Sequence, residues 1–529
     1  MNYKEEQIFS RLAHVIEEGN VGFFFGAGTS RNAGVPVVST IVSKIVSSLA
    51  LPEYYAKIIL ELKYPFEAFL EILSRYISIK DSLKVFNLGE PTEFHLLVKF
   101  LVEKGLVKQL MTTNFDLLIE KTKIPDLNVE YKENRFRQLA ADKVNYIKVH
   151  GGVQDVKTIR TLMGTIAKKQ IRSKRKYAVD FFFNKAGLKT VFVFGYSCSD
   201  RLDLTPYIKS AANSDTRIIF VNHTQSEVIK EIQMNKDNPF FGFKSSCIEC
   251  NTDSLICYLA GYFQAPVSCN HTSYSIDEYF DYSSLAMYEK CLFGAGLLFR
   301  NGNLEDAASL LRYALQHEGD HVQRVEIFSL LLEVYHNIQT NESKPMEEIL
   351  PEGVTFEMVK EWKEKALNVL ETINDDKERL NRIAGLKTHW GHFLLSYRRY
   401  DEALQSYQES LELLLQTSNT YRKYQCYNNF ANTVFVRWKN GESVLEDDEV
   451  YQECHKKWRK CLRYFRQSEY PFEYEISCDN IAELLLSLRK NQKKRINDYL
   501  KTAKDLSEYL NDRTGVENCE EMMKKANCQ

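Results

Sequence analysis

The stretch VGFFFGAGTSRNAGVP, residues 21–36, decides the fold of the first half of this chain. Val21 to Phe25 is a short run without a polar side chain, rich in aromatic residues, and it reads as a buried strand. A Gly26-Ala27-Gly28 turn ends it, and an amphipathic stretch follows Pro36. Glycines at such a turn let the backbone approach a pyrophosphate, which a helix N-terminus or a nest of amides can hold. The turn is not the G-x-G-x-x-G of a dehydrogenase, because Arg31 stands where the third Gly or Ala belongs. It is not a P-loop either, since no Gly-Lys-Ser/Thr follows. The plainer alternative is a tight strand–helix turn with no ligand.

Working outward, four further runs read as buried strands: VKQLMTT from Val107, NYIKVHG from Asn145, KTVFVFGYS from Lys189 and TRIIFVN from Thr216. Helical stretches lie between them, such as VSTIVSKIVSSLA from Val38 and TEFHLLVKFLVEKG closed by Gly105. Strands alternating with helices predict a parallel sheet covered on both faces. Ligands in such folds bind beyond the carboxyl ends of the strands. Polar motifs gather at those ends. Asn114 and Asp116 follow one strand, where they either face the crevice or cap a helix. His150 ends another before two glycines, a position suited to acid–base work. Gly195-Tyr196-Ser197-Cys198-Ser199-Asp200 follows a third, and Asn222 closes the last.

The strand signal stops near residue 260, and nearly everything after it reads as helix. LLFRNGNLEDAASLLRYALQ from Leu297 aligns with LLSYRRYDEALQSYQESLEL from Leu394, with Ala307 and Ala403 matched. Ala295 and Gly391 fall where a tetratricopeptide repeat wants a small residue in its first helix. Fainter copies begin at Asn429 and Asn480. Roughly five helix pairs and a short terminal helix are expected, with an irregular bundle as the alternative. The expected organisation is an α/β N-terminal domain with a Rossmann-like parallel sheet over 1–265, a linker over 266–282, and an all-α helical-repeat C-terminal domain over 283–529.

Composition narrows the function classes. The 529 residues are 44% hydrophobic and 26% charged, enough apolar material for packed cores. No apolar run approaches a membrane span of ~18–20 residues, and the start lacks the apolar core of a signal peptide. Twelve scattered Cys favour reduced thiols and a cytoplasmic setting over a disulfide framework. The net charge of −2 argues against a generic nucleic-acid binder. It hides an asymmetry, for residues 1–270 hold 35 Lys and Arg against 28 Asp and Glu, and the remainder 34 against 43. The basic run Lys168–Lys176 reads as a solvated helix face, or as an attractor of an anionic substrate or a nucleic acid.

Taken in order, GAGTSRNAGVP, TTNFD, the strand-ending His-Gly, the G-x-S strand and the Asn-ending strand resemble the sirtuin family over roughly residues 5–265. The pattern is most similar to the sirtuin-like NADase domains of bacterial antiphage defence proteins, which often carry a large helical sensor half. The resemblance implies that Gly26, Ala27, Gly28, Thr29 and Ser30 line the pyrophosphate and ribose of NAD. It implies Asn114 and Asp116 at the nicotinamide ribose, His150 as the catalytic histidine, and Gly195, Ser197, Asp200 and Asn222 on the adenosine side.

Departures from that family matter as much. Val37-Val38-Ser39 follows Pro36 where deacetylating sirtuins carry an aromatic-Arg pair, and no cysteine lies between His150 and Gly195 to build a zinc ribbon. Cys247 and Cys250 form one Cys-x-x-Cys, too few ligands for a closed zinc site, so no metal is expected. The implied activity is therefore hydrolysis of NAD to nicotinamide and ADP-ribose, depleting NAD in an abortive antiviral response. Implied partners are NAD as substrate, a phage protein or partner defence protein at the repeats, and further copies of the chain in a homo-oligomer. The rivals are a protein deacylase or ADP-ribosyltransferase, and a non-catalytic scaffold that binds NAD or ADP-ribose.

Overall fold

The computed structural model describes residues 3–62, 66–74, 79, 81–159, 169–198, 200, 204–213, 215–226, 228–268, 274–317, 319–468, 470–488, 492–510 and 512–528. The chain divides into two units, Met1–Ile45 with Ser78–Asp281, and Val46–Ile77 with Tyr282–Gln529.

In the first unit the β-branched and aromatic runs pair into a sheet. Its strands are β1 (Val21–Phe25), β2 (Val107–Thr112), β3 (Asn128–Glu130), β4 (Asn145–Lys148), β5 (Thr190–Phe194), β6 (Arg217–His223), β7 (Lys230–Ile232) and β8 (Lys244–Cys250). Their order is β3-β4-β2-β1-β5-β6-β8-β7, parallel throughout except for β7 on β8. The chain leaves β1 toward β2 on one side and later returns to β5 on the other, so the strand order reverses between β1 and β5. Such a switch point is where an open α/β sheet offers a crevice.

Alternate residues of each strand feed opposite cores, as the two-residue strand period requires. Phe23, Phe25, Leu110 and Ile219 join helices α1 (Tyr3–Glu17), α5 (Glu93–Glu103) and α9 (Thr252–Phe263) on one face. Phe24, Met111, Val193 and Phe220 join α7 (Lys169–Asp180) and α8 (Leu204–Ser210) on the other. Helices α2 (Val38–Ser48), α3 (Glu53–Glu61), α4 (Phe66–Leu73) and the short α6 (Leu118–Lys121) complete the numbering of this half. Cys247 and Cys250 are three residues apart on one strand, so they enter opposite cores and do not converge.

Two sequence readings change here. Arg175, inside the basic run, is not on a solvated face but fully buried 3.7 Å from Glu133. Lys168 lies outside the described residues. Residues 46–77, read as part of the first domain, group with the helical unit. The cause is packing. Phe69 meets Phe293 edge-on at 5.4 Å, and Leu51 and Ile59 crowd Gly294. The stretch 266–282 is likewise not all linker, for Phe280 and Tyr282 are buried.

The helical unit continues with α10 (Met287–Arg300), α11 (Leu304–Leu315), α12 (His321–Glu342), α13 (Met346–Ile349), α14 (Phe356–Glu371), α15 (Asp376–Ser396), α16 (Tyr400–Leu415), α17 (Thr420–Lys439), α18 (Asp447–Ser468), α19 (Pro471–Ser487), α20 (Lys493–Leu510) and α21 (Arg513–Cys528). Among the described residues these form five successive pairs, α10/α11, α12/α14, α15/α16, α17/α18 and α19/α20, with α21 packed on α20. Small residues bring the helices together, as in tetratricopeptide-like repeats. A side chain on Gly391 would meet the Tyr407 ring at 2.6 Å, and Ala307 and Ala403 are wholly buried. Among the described residues no helix is long and apolar enough to cross a membrane.

Candidate functional site

Ladder register puts the sequence motifs at one level. Phe25 pairs with Thr112 and with Phe194, Thr112 pairs with Lys148, and Phe194 pairs with Val221. Gly26, Asn114, His150 and Gly195 therefore follow the paired ends of β1, β2, β4 and β5, and Asn222 lies at the same level inside the neighbouring β6, where it pairs with Glu249 of β8. All lie on the carboxyl edge of the sheet.

At the switch point the two glycine turns interlock. A Cβ on Gly26 would lie 2.8 Å from the Gly195 carbonyl oxygen, and one on Gly28 would lie 2.8 Å from Gly195 Cα. Gly195 has φ of +57°, and a Cβ there would meet the Thr29 amide nitrogen at 2.6 Å. The Gly28 N–H donates to the Gly195 carbonyl at 2.9 Å and the Thr29 N–H to the Gly26 carbonyl at 3.1 Å. These two amides are thus spoken for, and the glycines serve close backbone packing directly, as the tight-turn alternative holds. Ala27 and Gly28 form the exposed lip of the turn while Gly26 and Ser30 are buried. Replacing Gly195 by Ala combines left-handed backbone strain with overpacking, so a loss of about 2–4 kcal/mol is expected in urea unfolding. A loss under about 1 kcal/mol would show that the turn relaxes.

Beside this turn a side-chain relay runs between β1 and β2. The Asn114 amide donates to the Ser30 hydroxyl at 2.9 Å and to the Gly26 carbonyl at 3.2 Å. The Ser30 hydroxyl donates to Asp116 Oδ2 at 2.7 Å, and Asp116 Oδ1 accepts the Leu118 N–H at 3.0 Å. Asp116 therefore both anchors the start of α6 and orients Ser30. All three side chains are buried, at 3–6% exposure. Among the described residues Asn114 Oδ1 is buried with no hydrogen-bond partner. An unpaired buried acceptor costs about 1–3 kcal/mol, so a ligand hydroxyl or water donating there recovers that energy.

His150 stands on the neighbouring strand tip, buried, its ring centroid 6.3 Å from that of Phe115 in the same TTNFD loop. The turn after it is tight. Gly151 has φ of +86°, where any side chain would strike the Thr158 carbonyl, and the Gly152 N–H donates to Thr158 Oγ1 at 3.2 Å. The Val153 N–H donates to the Phe115 carbonyl at 2.9 Å, tying the histidine turn to the Asn114 loop. The residues assigned to the adenosine side are looser. Ser197 is exposed, the Asp200 carbonyl accepts the Thr205 N–H at 3.0 Å, and Asn222 is exposed two strands from β1. Asn222 shares no hydrogen bond with the Asn114 cluster.

Sequence reading missed Lys148. This lysine of β4 is wholly buried beneath the TTNFD loop, where its ammonium donates to the Asp116 carbonyl and to Glu120 Oε1 at 2.9 Å. Burial raises the Glu120 carboxyl above the usual range, with the Lys148 charge opposing. The signal was a lysine at the end of the short NYIK strand, two residues before His150. His95, packed under the same loop, is held down to about 4 by burial, which the Asp116 charge opposes. Lys148→Met should cost about 3 kcal/mol, since it strands a partly buried carboxylate. Adding Glu120→Gln should restore part of that loss in the double mutant's unfolding curve. Strict additivity would show that the pair is not coupled.

Neither a family model nor a curated protein matches the chain. Similar solved structures include the crystal structure of BtubC (BKLC) from P. vanneervenii, 16% identical over 46% of this chain and 80% of that one, with a TM-score of 0.21. Another is a Signal Transduction ATPase with Numerous Domains (STAND) protein with a tetratricopeptide repeat sensor from Pyrococcus horikoshii. It is 11% identical over 98% of this chain and 85% of that one, with a TM-score of 0.33. Both scores lie below the level at which a shared fold follows.

Proposed function

We propose that the α/β unit is a sirtuin-like NAD hydrolase that cleaves the nicotinamide–ribose bond. The observation that carries this reading is the buried Asn114–Ser30–Asp116 relay at the sheet's carboxyl edge, with an unpartnered acceptor on Asn114 and a histidine on the next strand tip. The fit to NAD rests on that acceptor. A buried amide oxygen held rigidly by Ser30 and Gly26 suits a ribose hydroxyl or the attacking water. As the C1′–N bond breaks, its electron pair leaves with nicotinamide and an oxocarbenium-like centre develops on the ribose. The Asp116 carboxylate opposes that charge through Ser30, the Asn114 amide orients the water, and His150 takes the water's proton. A bond then forms from water oxygen to C1′, giving ADP-ribose. Holding the reactants in place supplies much of the acceleration.

In this reading the helical-repeat unit is regulatory. Stacked pairs form an extended surface suited to a protein ligand or to self-association. A phage component, a partner defence protein or further copies of the chain would engage it. The proposal belongs to a bacterial antiviral setting in which NAD depletion arrests the infected cell. The test is to incubate the purified full chain with NAD and follow nicotinamide and ADP-ribose in equal amounts. Acetyl-ADP-ribose formed from an acetylated peptide would establish a deacylase instead. Tight NAD binding without any product would establish a scaffold.

A further inference from the structure

The second helix pair departs from the others. The α10/α11 and α15/α16 pairs close through three-residue turns, residues 301–303 and 397–399, whereas α12 and α14 are joined by residues 343–355, which include α13. Where α10 and α15 place Gly294 and Gly391 against the second helix, α12 brings Phe328, Leu331 and Tyr335. The result is a cavity of about 580 Å³ among α11, α12, α14 and the connector. That size lies within the ~300–1,000 Å³ of small-molecule sites.

Its floor is apolar: Leu331, Leu332, Val359 and Ala366 are all nearly inaccessible. Phe328 and Trp362 meet edge-on at 6.4 Å beside it, with Trp362 39% exposed. Apolar cavities are poor hosts for water, so an aliphatic body suits this one. The charged residues of its wall are all of one sign. Arg312, Arg324 and Lys365 come from three different helices, and no Asp or Glu lines the space. Among the described residues Arg312 bonds to Ser309 Oγ at 2.9 Å and Tyr335 Oη at 3.5 Å, and Arg324 to the carbonyls of Gly319 and His317. Among the described residues none of the three cations has a carboxylate partner. This stands out in a unit whose other Lys and Arg residues repeatedly pair with acids, as Lys387 does with Glu409 and Arg382 with Glu326.

We propose that this cavity is a binding site for an amphipathic anion, an unbranched aliphatic chain ending in a carboxylate. The chain fills the space between Leu331 and Val359, and the carboxylate meets the arginines and Lys365. The proposal is independent of the NAD reading.

The experiment is calorimetric titration of the full chain with hexanoate, octanoate, decanoate and dodecanoate, each below its micelle concentration, beside the matching 1-alkanols. Expected are one saturable site and a Kd that falls about two- to fourfold per added methylene. Decanoate should bind at least tenfold more tightly than decanol. Leu331→Trp and Ala366→Phe fill the cavity and should abolish binding. Lys365→Glu and Arg324→Glu, at exposed positions, should weaken decanoate at least tenfold and leave decanol unchanged. The proposal fails if no alkanoate saturates a single site, if decanol equals decanoate, or if a folded filling variant binds as before. It also fails if an apolar peptide with a free carboxylate binds where every alkanoate does not. Should both filling variants misfold, the two charge reversals decide.

Discussion

Asn114→Ala should lower NAD cleavage at least a hundredfold while leaving the protein folded, and His150→Ala should do the same. The two effects have different origins. In the proposed mechanism Asn114 contributes an oriented amide with a buried free acceptor, so its loss removes positioning that water does not replace. In the proposed mechanism His150 contributes the proton acceptor, worth ~10²–10⁴-fold in comparable acid–base catalysis. Stability should change little. Truncating Asn114 deletes two hydrogen bonds, to Ser30 and Gly26, each worth about 1 kcal/mol. It also removes the buried unpaired oxygen, which offsets part of that loss. A Tm shift of only a few degrees should accompany the kinetic effect. Ser30→Ala is an informative third variant. It leaves Asn114 and Asp116 in place but breaks their link, so it should reduce kcat more than it raises KM. If Asn114→Ala, folded by circular dichroism, keeps more than about a tenth of wild-type turnover, the catalytic assignment fails.

Much of this arrangement was legible in the sequence because it rests on local pattern. The runs beginning at Val21, Val107, Asn145, Lys189 and Thr216 became β1, β2, β4, β5 and β6, each mostly apolar or β-branched and followed by a polar or glycine stop. The edge strands β3 and β7 have three residues each and few apolar positions, so no periodicity announces them. Interlocking of the Gly26 and Gly195 turns was invisible for a different reason. The two lie far apart in sequence, and each alone reads as an ordinary turn. Asp116 shows a third kind of limit. Helix anchoring and an inward-facing role looked like alternatives, yet one carboxylate oxygen anchors the start of α6 while the other accepts the Ser30 hydroxyl. The helix pairs beginning near Leu297 and Leu394 were found by mutual alignment. The pair α12/α14 escaped it because its long connector and large α12 residues depart from the repeat.

Separating the halves should fail if the cut follows the sequence boundary. Residues 1–270 expressed alone are expected to aggregate, because they keep α3 and α4 but lose the helix these pack upon. Leu51, Ile59, Phe69 and Ile72 are nearly inaccessible in the full chain. A Cβ on Gly294 of α10 would contact Leu51 at 3.1 Å and Ile59 at 3.4 Å, one on Gly296 would contact Ile72 at 3.4 Å, and Phe293 faces Phe69. Each such side chain gains about 1.5–3 kcal/mol from burial. Exposing four of them forfeits on the order of 10 kcal/mol, comparable to the whole stability of a domain, and leaves a contiguous sticky patch. Replacing residues 49–77 by a short Gly-Ser linker removes that patch without touching any strand. The linker version of 1–270 should be monodisperse by light scattering and melt cooperatively. Equal solubility of the two fragments would show that α3 and α4 do not depend on α10.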